Sequence, residues 1–217
     1  MEALADRISR DGWAVLPGAF SRVECQAIAA AADERPFPEL PPGLMRWVAD
    51  PRWADIVLPV IGPDVRLLRA QMLAKRPWSD AVVPWHQDND FVAVEPAEFL
   101  TASLAIDPMT RVNGCLQVVP GTHRRGVVAY VPKAYGFTLA EPPPDDAGVA
   151  VELEPGDLLV LSSLCFHYSG PNHTDDWRRA WTLQFLPVDA VDPDTGQGFS
   201  RHRVVAQGGR WLDAEGR

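Results

Sequence analysis

The feature that most constrains the fold is a series of short apolar stretches, which starts at Val65 and is broken repeatedly by turn-forming residues. Each stretch ends at Gly, Pro, Asn or Asp, and the chain of 217 residues contains 21 Pro and 16 Gly to make such breaks. Short runs rich in β-branched residues and bounded in this way are typical of antiparallel strands. We therefore predict strands over residues 65–75, 82–88, 99–107, 115–119, 148–153, 158–167 and 178–188.

The segment before these strands has helical signals instead. Ser21, with Glu24 three residues later, forms the signature of a capping box and predicts a helix from this point to about residue 35. A second helix is predicted from the Asp-Pro pair at 50–51 to about residue 61. A short helix is also predicted within 1–10 and a strand within 11–20, while the prolines at 36, 38, 41 and 42 predict irregular structure between the two longer helices.

Helices followed by many short strands predict a mainly β fold with flanking helices, and the favoured architecture is a jelly roll. No repeat or linker divides the chain, so we predict a single domain over 1–217. Its helices occupy about 1–62 and its jelly-roll core about 65–188. The segment 124–147, which includes "EPPPDDAG", is predicted to be a loop that closes over a binding site.

Charge and cysteine content narrow the classes of partner. The formal net charge of −9 argues against nucleic acid or an anionic membrane as a partner, and no apolar run is long enough for a membrane helix. The three cysteines, Cys25, Cys115 and Cys165, form neither a disulfide framework nor a zinc motif. With no signal peptide at the start, we expect a reduced, cytoplasmic protein that acts on a small molecule.

A candidate metal site begins with "PWHQDND". Alternate residues of a strand point the same way, so His86 and Asp88 can reach one ion while Gln87 points away. His167, near the end of the apolar run "GDLLVLSSLCFHYSG", is the candidate third ligand. Two imidazoles and one carboxylate leave about three positions free, which suits Fe(II) with a co-substrate better than a closed zinc site. Taken alone, the HxD spacing is a weak signal, and such residues more often form a turn capped by Asp88 or Asn89 and a buried core histidine than a metal site.

The downstream motifs favour the metal site. The order "WHQD", "NGCLQVVPGTH", "PGD" and "HYSGPN" followed by Arg178 resembles the phytanoyl-CoA dioxygenase (PhyH) family of Fe(II)/2-oxoglutarate-dependent oxygenases, from about residue 11 to about residue 186. The resemblance implies a double-stranded β-helix, the cupin-like form of the jelly roll. It also implies that His86, Asp88 and His167 bind iron and that Arg178 binds the distal carboxylate of 2-oxoglutarate.

Two of these assignments have a rival nearby in the sequence. His173 is the rival of His167, but it lies in the polar segment "PNHTDD", where a solvated histidine is expected. Arg179 is the rival of Arg178. In the strand "RRAWTLQFLP", Arg178 shares a face with small and polar residues that suit a ligand-lined interior. Arg179 shares the opposite face with bulky residues that suit packing against helices.

Further contacts to 2-oxoglutarate are expected from four polar residues. Gln71 occupies a position where relatives place an amide near the co-substrate. Thr101 and Ser103 share a face of one strand and are expected to present hydroxyls, although some family members have an aromatic residue at the position of Ser103. Ser169, two residues after His167, is also expected to reach the co-substrate.

The reaction implied by the resemblance is hydroxylation of an unactivated carbon of a small metabolite or biosynthetic intermediate, with Fe(II), 2-oxoglutarate and O₂ consumed to give succinate and CO₂. The carboxylate of Asp88 argues against halogenation, because halogenating relatives leave that position empty for chloride. Desaturation, cyclisation or epimerisation with the same cofactors, a metal-dependent isomerase or hydrolase, and a catalytically silent binding domain are the alternatives. Asn89, Asp90 and Phe91 are expected to face the substrate.

Overall fold

The computed structural model describes residues 2–32, 42–133, 136–144 and 147–217. Within these ranges, four α-helices and one short strand come first along the chain: α1 (Leu4–Asp11), β1 (Trp13–Leu16), α2 (Arg22–Ala31), α3 (Pro42–Val48) and α4 (Arg52–Ile61). The predicted capping box is present at the start of α2, where the Ser21 hydroxyl accepts from the Glu24 amide and the Glu24 carboxylate accepts from the Ser21 amide.

Helix α3 is a departure from the prediction. Pro42 begins this helix instead of preventing it, because a proline in the first helical turn needs no amide hydrogen and already has a helical φ. The other three prolines of that segment lie outside the described residues.

Twelve further strands are present in the described ranges, and every pairing among them is antiparallel. They are β2 (Val65–Lys75), β3 (Val83–His86), β4 (Leu100–Ala105), β5 (Leu116–Val118), β6 (Tyr130–Pro132), β7 (Phe137–Leu139), β8 (Val149–Ala150), β9 (Leu158–Ser162), β10 (His167–Ser169), β11 (Arg178–Pro187), β12 (Val204–Gln207) and β13 (Arg210–Trp211).

The strands form two facing sheets and a separate hairpin. The major sheet has the order β1-β9-β4-β11-β2-β12-β13, the minor sheet has the order β3-β10-β5-β8, and β6 pairs with β7. Side chains from both sheets share one apolar cluster, in which Leu159 and Leu161 of β9 meet Val118 of β5. This arrangement confirms the predicted mainly β jelly roll with flanking helices.

The helices cover the outer face of the major sheet. Trp53 of α4 is fully buried there, with its ring centroid 6.4 Å from that of Trp181 and 5.6 Å from that of Phe185 on β11. These bulky residues alternate along β11 with the small and polar residues that face the minor sheet. The outer face therefore supplies most of the core, and the inner face is left free to line a cavity. None of the described helices is long and apolar enough to span a bilayer.

Three segments differ from their predicted structure. The predicted strand 158–167 is two strands, since β9 ends at Ser162 in the major sheet and β10 begins at His167 in the minor sheet. The predicted strand 82–88 ends at His86, and a 3-10 helix follows over Asp88–Asp90. The segment 124–147 contains the hairpin β6–β7, so it is not simply a loop, and its role as a lid stays a prediction.

Candidate active site

The three candidate metal ligands converge where β3 and β10 lie side by side. His86 ends β3 and His167 begins β10, and the two residues are directly paired across the minor sheet. Their Nε2 atoms lie 3.7 Å and 3.5 Å from Oδ1 of Asp88, which begins the 3-10 helix. The donor atoms all lie within 4.8 Å of one another, and all three residues are buried. The structure thus brings the three residues together, although Asp88 arrives through a helical turn and not through the strand alternation used in the prediction.

Backbone carbonyls fix the tautomer of both histidines. Nδ1–H of His86 donates to the carbonyl of Pro84 at 2.8 Å, and Nδ1–H of His167 donates to the carbonyl of Cys165 at 2.9 Å. Both Nε2 lone pairs are therefore free and point at the same place as the Asp88 carboxylate. This donor set fits a divalent metal that prefers nitrogen and oxygen ligands, and it leaves coordination positions open for other molecules.

Asp88 is held by groups from two other elements. Its amide donates to the carbonyl of Ser163 at 2.8 Å, and its Oδ2 accepts from the hydroxyl of Thr101 at 2.5 Å. Oδ1 is left to face the histidines. The pKa of Asp88 lies well below its ordinary value because, although burial opposes ionisation, the adjacent His167 and His86 favour the carboxylate.

The two imidazoles differ in their own protonation. Burial and the neighbouring His167 lower the pKa of His86. Burial also acts against protonation of His167, but the charge and hydrogen bonding of Asp88 outweigh it and raise the pKa of this residue. The Asp88 carboxylate therefore outweighs burial at His167 but not at His86.

Gln87, between the two ligands of the HxD motif, points away from the metal site as expected and is completely buried. Its amide nitrogen donates to the carbonyls of Gly126 and Leu164, and its amide oxygen accepts from the amide of Val128. One side chain thus fixes the HxD turn to the segment after β5 and to the turn before His167. The sequence contained no signal for this role beyond the motif itself.

Arg178 lies at the other end of the same cavity. Only 5% of it is exposed, and its Nη2 donates to the hydroxyl of Ser169 at 2.9 Å, which in turn donates to the carbonyl of Gly114 at 2.8 Å. Its Nε has no hydrogen-bond partner among the described residues. Burial lowers the pKa of this guanidinium to about 10. A buried guanidinium with a free edge is suited to bind a carboxylate bidentately.

Lys75 is a buried cation that sequence reasoning missed. It ends β2 directly opposite Arg178 on β11, and its Nζ donates to the carbonyls of Ala81, Ser169 and Gly170. Burial and the positive charge of Arg178 lower its pKa to about 7. The available signal was strand alternation, because Lys75 falls on the same face of its strand as Gln71.

The cavity that contains the metal-ligand candidates at one end and Arg178 at the other has a volume of about 350 Å³ and is lined by both sheets. Gln71 and Ser103 both line it, as expected, and the Ser103 hydroxyl lies 3.2 Å from that of Thr182 on the neighbouring strand. Thr101 also lines it, but its hydroxyl is directed to Asp88. In this structure Thr101 is therefore placed to orient a metal ligand, which differs from the co-substrate contact expected from the sequence.

Of the three residues expected to face the substrate, only Phe91 lines the cavity. Phe91 lines the cavity with 40% of its surface exposed, and its ring packs edge-on against His86 with centroids 5.2 Å apart. Asn89 and Asp90 are buried and bonded within the turn, because Asn89 binds the backbone of Val94 and Asp90 accepts from the Gln87 amide. The expectation for Asn89 and Asp90 was wrong, since the 3-10 turn rotates them inward.

The two rival residues lie outside the cavity. His173 is exposed in its loop. Arg179 is on the opposite face of β11 and binds Asp107 through Nε at 2.7 Å and Nη2 at 2.8 Å. The two arginines therefore lie on opposite faces of β11. Arg179 has a carboxylate partner, and Arg178 has none among the described residues.

The sequence is similar to that of a known protein family. The family model described as phytanoyl-CoA dioxygenase (PhyH) matches residues 40–180, which include all three candidate metal ligands and Arg178. The chain belongs to the phytanoyl-CoA dioxygenase family. A probable phytanoyl-CoA dioxygenase of Caenorhabditis elegans is 32% identical over 163 residues, covering 68% of this chain and 52% of that protein. The chain spans about half the length of the curated relatives it matches.

Solved structures with the same fold include two enzymes. The non-heme monooxygenase ThoJ matches 99% of this chain and 87% of its own, with a TM-score of 0.79 and 23% identity. The epimerase SnoN, solved in complex with Fe3+, alpha ketoglutarate and nogalamycin RO, matches 93% of this chain and 96% of its own, with a TM-score of 0.72 and 20% identity. At these identities the matches show that the PhyH-family chain has the fold of these proteins.

Proposed function

We propose that this chain is an Fe(II)/2-oxoglutarate-dependent oxygenase that hydroxylates a carbon of a small molecule. The observation that carries the proposal is the pairing, within one buried cavity, of a His–Asp–His donor set with a guanidinium that has no carboxylate partner among the described residues. A buried guanidinium without an anion is costly, so a metal-dependent isomerase or hydrolase would give no reason for Arg178.

The cofactors have separate places in this cavity. His86 and His167 would hold Fe(II) through Nε2 and Asp88 through its carboxylate, while Arg178 would hold the distal carboxylate of 2-oxoglutarate. When bound, Fe(II) and 2-oxoglutarate supply the oxidative decarboxylation that consumes O₂, releases succinate and CO₂, and delivers one oxygen atom to the substrate.

The remaining residues orient these groups and keep water out. Thr101 fixes the rotation of the Asp88 carboxylate, and Ser169 positions the Arg178 guanidinium by accepting from it. Lys75 holds the carbonyls around Ser169 and so fixes the end of the cavity. Apolar side chains, including Met109, line part of the same cavity. The protein thereby strengthens the ion pair that the co-substrate forms.

We also infer that residues 1–217 act as a single domain with a small-molecule substrate. The helices and the major sheet share one apolar core, in which Ile8 of α1 and Trp211 of β13 both take part. The cavity of about 350 Å³ suits a small metabolite better than a bulky thioester.

An anaerobic titration tests the proposal without knowledge of the substrate. Adding 2-oxoglutarate to the wild-type protein with Fe(II) should produce the weak visible charge-transfer band of a bound 2-oxo acid–iron chelate. His86→Ala should abolish the band, whereas His173→Ala, which removes an exposed imidazole, should leave it unchanged. A wild-type protein without the band, or equal loss in both variants, would contradict the proposal.

The reaction outcome needs a second experiment. Candidate metabolites that stimulate succinate release are incubated with isotopically labelled O₂, and the products are analysed by mass spectrometry. One labelled oxygen atom in the product is the result expected for hydroxylation. A product without it would show desaturation, cyclisation or epimerisation instead.

A further inference from the structure

The cavity has more positive charge than the proposed co-substrate accounts for. In the part of the chain that the structure describes, its lining contains three cationic side chains, Arg69, Lys75 and Arg178, but Asp88 as its only carboxylate. Lys75 donates to backbone carbonyls and Arg178 donates to a hydroxyl. Arg69 forms neither a hydrogen bond nor an ion pair within the described ranges, although it is half-buried.

Arg69 lies too far from Arg178 to share its ligand. It is six residues before Lys75 on the same face of β2, and the pairing with β11 is regular between them. Six residues of strand span about 20 Å. An extended five-carbon diacid spans only roughly 5 Å between its terminal carbons, at about 1.5 Å per bond. A co-substrate bound by Arg178 therefore leaves Arg69 free.

Strand register places Arg69 at the level of the metal ligands. Gln184 of β11 pairs with Arg69 on one side and with Thr101 of β4 on the other, so the three residues form one row across the sheet. Thr101 is the residue that donates to Asp88. In addition, β12 pairs with β2 only near its start, at Val65 and Arg66, so in the described structure Arg69 lies on a stretch of β2 with an open edge.

The charges inside the cavity indicate what Arg69 would bind. A divalent metal balances the two carboxylates of 2-oxoglutarate, and Asp88 balances Arg178. Lys75 is held by the carbonyls of Ala81, Ser169 and Gly170 instead of a carboxylate. Arg69 is then the cation of the described lining that has neither a carboxylate nor a hydrogen-bond acceptor, in a cavity where charges interact more strongly than in water. The same cavity presents apolar surface from Phe91 and Leu73, which are 40% and 43% exposed.

We propose that Arg69 is a specificity-determining residue that binds an anionic group, a carboxylate or a phosphate, on a substrate whose apolar body lies against Phe91 and Leu73. This inference rests on the proposed oxygenase function, because the charge balance includes the metal and the co-substrate. A guanidinium binds either anion through two parallel N–H bonds, which neutral molecules of the same shape cannot match.

Calorimetry with matched probes tests this assignment. The wild-type protein and the variants Arg69→Gln, Arg69→Lys and Arg210→Gln are loaded anaerobically with Fe(II) and saturating 2-oxoglutarate. Each is titrated with phenylacetate, phenyl phosphate and the neutral phenylacetamide. Arg210 is an exposed arginine on β13, outside the cavity, so its replacement controls for the change in net charge. The charge-transfer band is recorded in every sample, so failure of the iron and co-substrate site is detected separately.

The expected result is that wild-type protein and Arg210→Gln bind at least one of the two acids about tenfold or more tightly than the amide. Whether the carboxylate or the phosphate binds more tightly identifies the anion. Arg69→Gln should bring acid and amide within about twofold of each other while retaining the band. Arg69→Lys, which should fold even if the glutamine variant does not, is expected to lose part of the preference because an ammonium lacks the two-pronged geometry.

Three results would overturn the inference. Wild-type protein that shows the band but binds acid and amide equally would have no anion site. Wild-type protein that shows the band but binds neither acid would lead to the same conclusion. A preference for the acids that survives unchanged in both Arg69 variants would place the anion site elsewhere.

Discussion

Replacing Thr101 by Val tests whether this residue orients the metal ligand. The change removes the hydroxyl that donates to Asp88 Oδ2 at 2.5 Å and keeps nearly the same shape. Thr101 is 4% exposed and the Asp88 side chain is 11% exposed, so water has little access to replace the lost donor. A hydrogen bond to a charged group contributes about 1.5–3 kcal/mol. At about 1.4 kcal/mol per tenfold change, Fe(II) affinity should fall by roughly 10- to 100-fold.

The assay is anaerobic competition for Fe(II) against a chromophoric chelator, without 2-oxoglutarate. Ser103→Ala is the matched control, because Ser103 lies on the same face of β4, one row along, and its hydroxyl faces Thr182 and not a metal ligand. It should leave iron affinity unchanged. If Thr101→Val also binds iron as tightly as wild type but binds 2-oxoglutarate more weakly, the hydroxyl serves the co-substrate and the structural assignment is wrong.

Three other predictions concern buried polar residues. Arg178→Met should weaken 2-oxoglutarate binding by about 100-fold or more, measured by the charge-transfer titration, while iron affinity stays within about twofold; equal loss of both would count against Arg178 as the carboxylate ligand. The pKa of Lys75 is lowered from 10.5 to about 7, so between these pH values the folded protein holds fewer protons than the unfolded chain. The stability of the wild type relative to Lys75→Met should therefore rise as the pH increases from about 7 to about 10. Urea unfolding at several pH values checks this, and a difference that does not change with pH would contradict the lowered pKa of Lys75. Gln87→Leu should lower the free energy of unfolding by about 3 kcal/mol or more, because it leaves the backbone groups of Gly126, Leu164 and Val128 without hydrogen-bond partners. A loss below about 1 kcal/mol would mean that water takes the place of the Gln87 amide.

Local pattern was sufficient to predict the residues that face the cavity on regular strands. Period-two alternation along β11 assigns Arg178 to the inside and Arg179 to the outside, and the structure has that arrangement. The same rule applied to "PWHQDND" correctly predicted that His86 and Asp88 lie close together. The reason it gave was wrong, because Asp88 lies beyond the end of β3 and belongs to a 3-10 helix. The capping box at Ser21 and Glu24 is equally local and was predictable.

Several of the unpredicted features depend on contacts between distant parts of the chain. Lys75 binds carbonyls at Ser169 and Gly170, which are more than 90 residues away in sequence. The division of the run 158–167 depends on a turn bonded to Phe99, and nothing in an unbroken apolar stretch marks that corner. Polar side chains that serve as supports within a site cannot be distinguished by sequence from those that contact ligands, as Thr101 illustrates.

The central claim is that the His–Asp–His group and Arg178 bind one metal ion and one 2-oxo diacid together. A crystal structure with Mn(II) and N-oxalylglycine, which resist turnover, tests it most directly. The expected result is a metal bound to Nε2 of His86 and His167 and to the carboxylate of Asp88, with the far carboxylate of the diacid on the Arg178 guanidinium. A metal bound elsewhere, or a diacid whose far carboxylate avoids Arg178, would contradict the account.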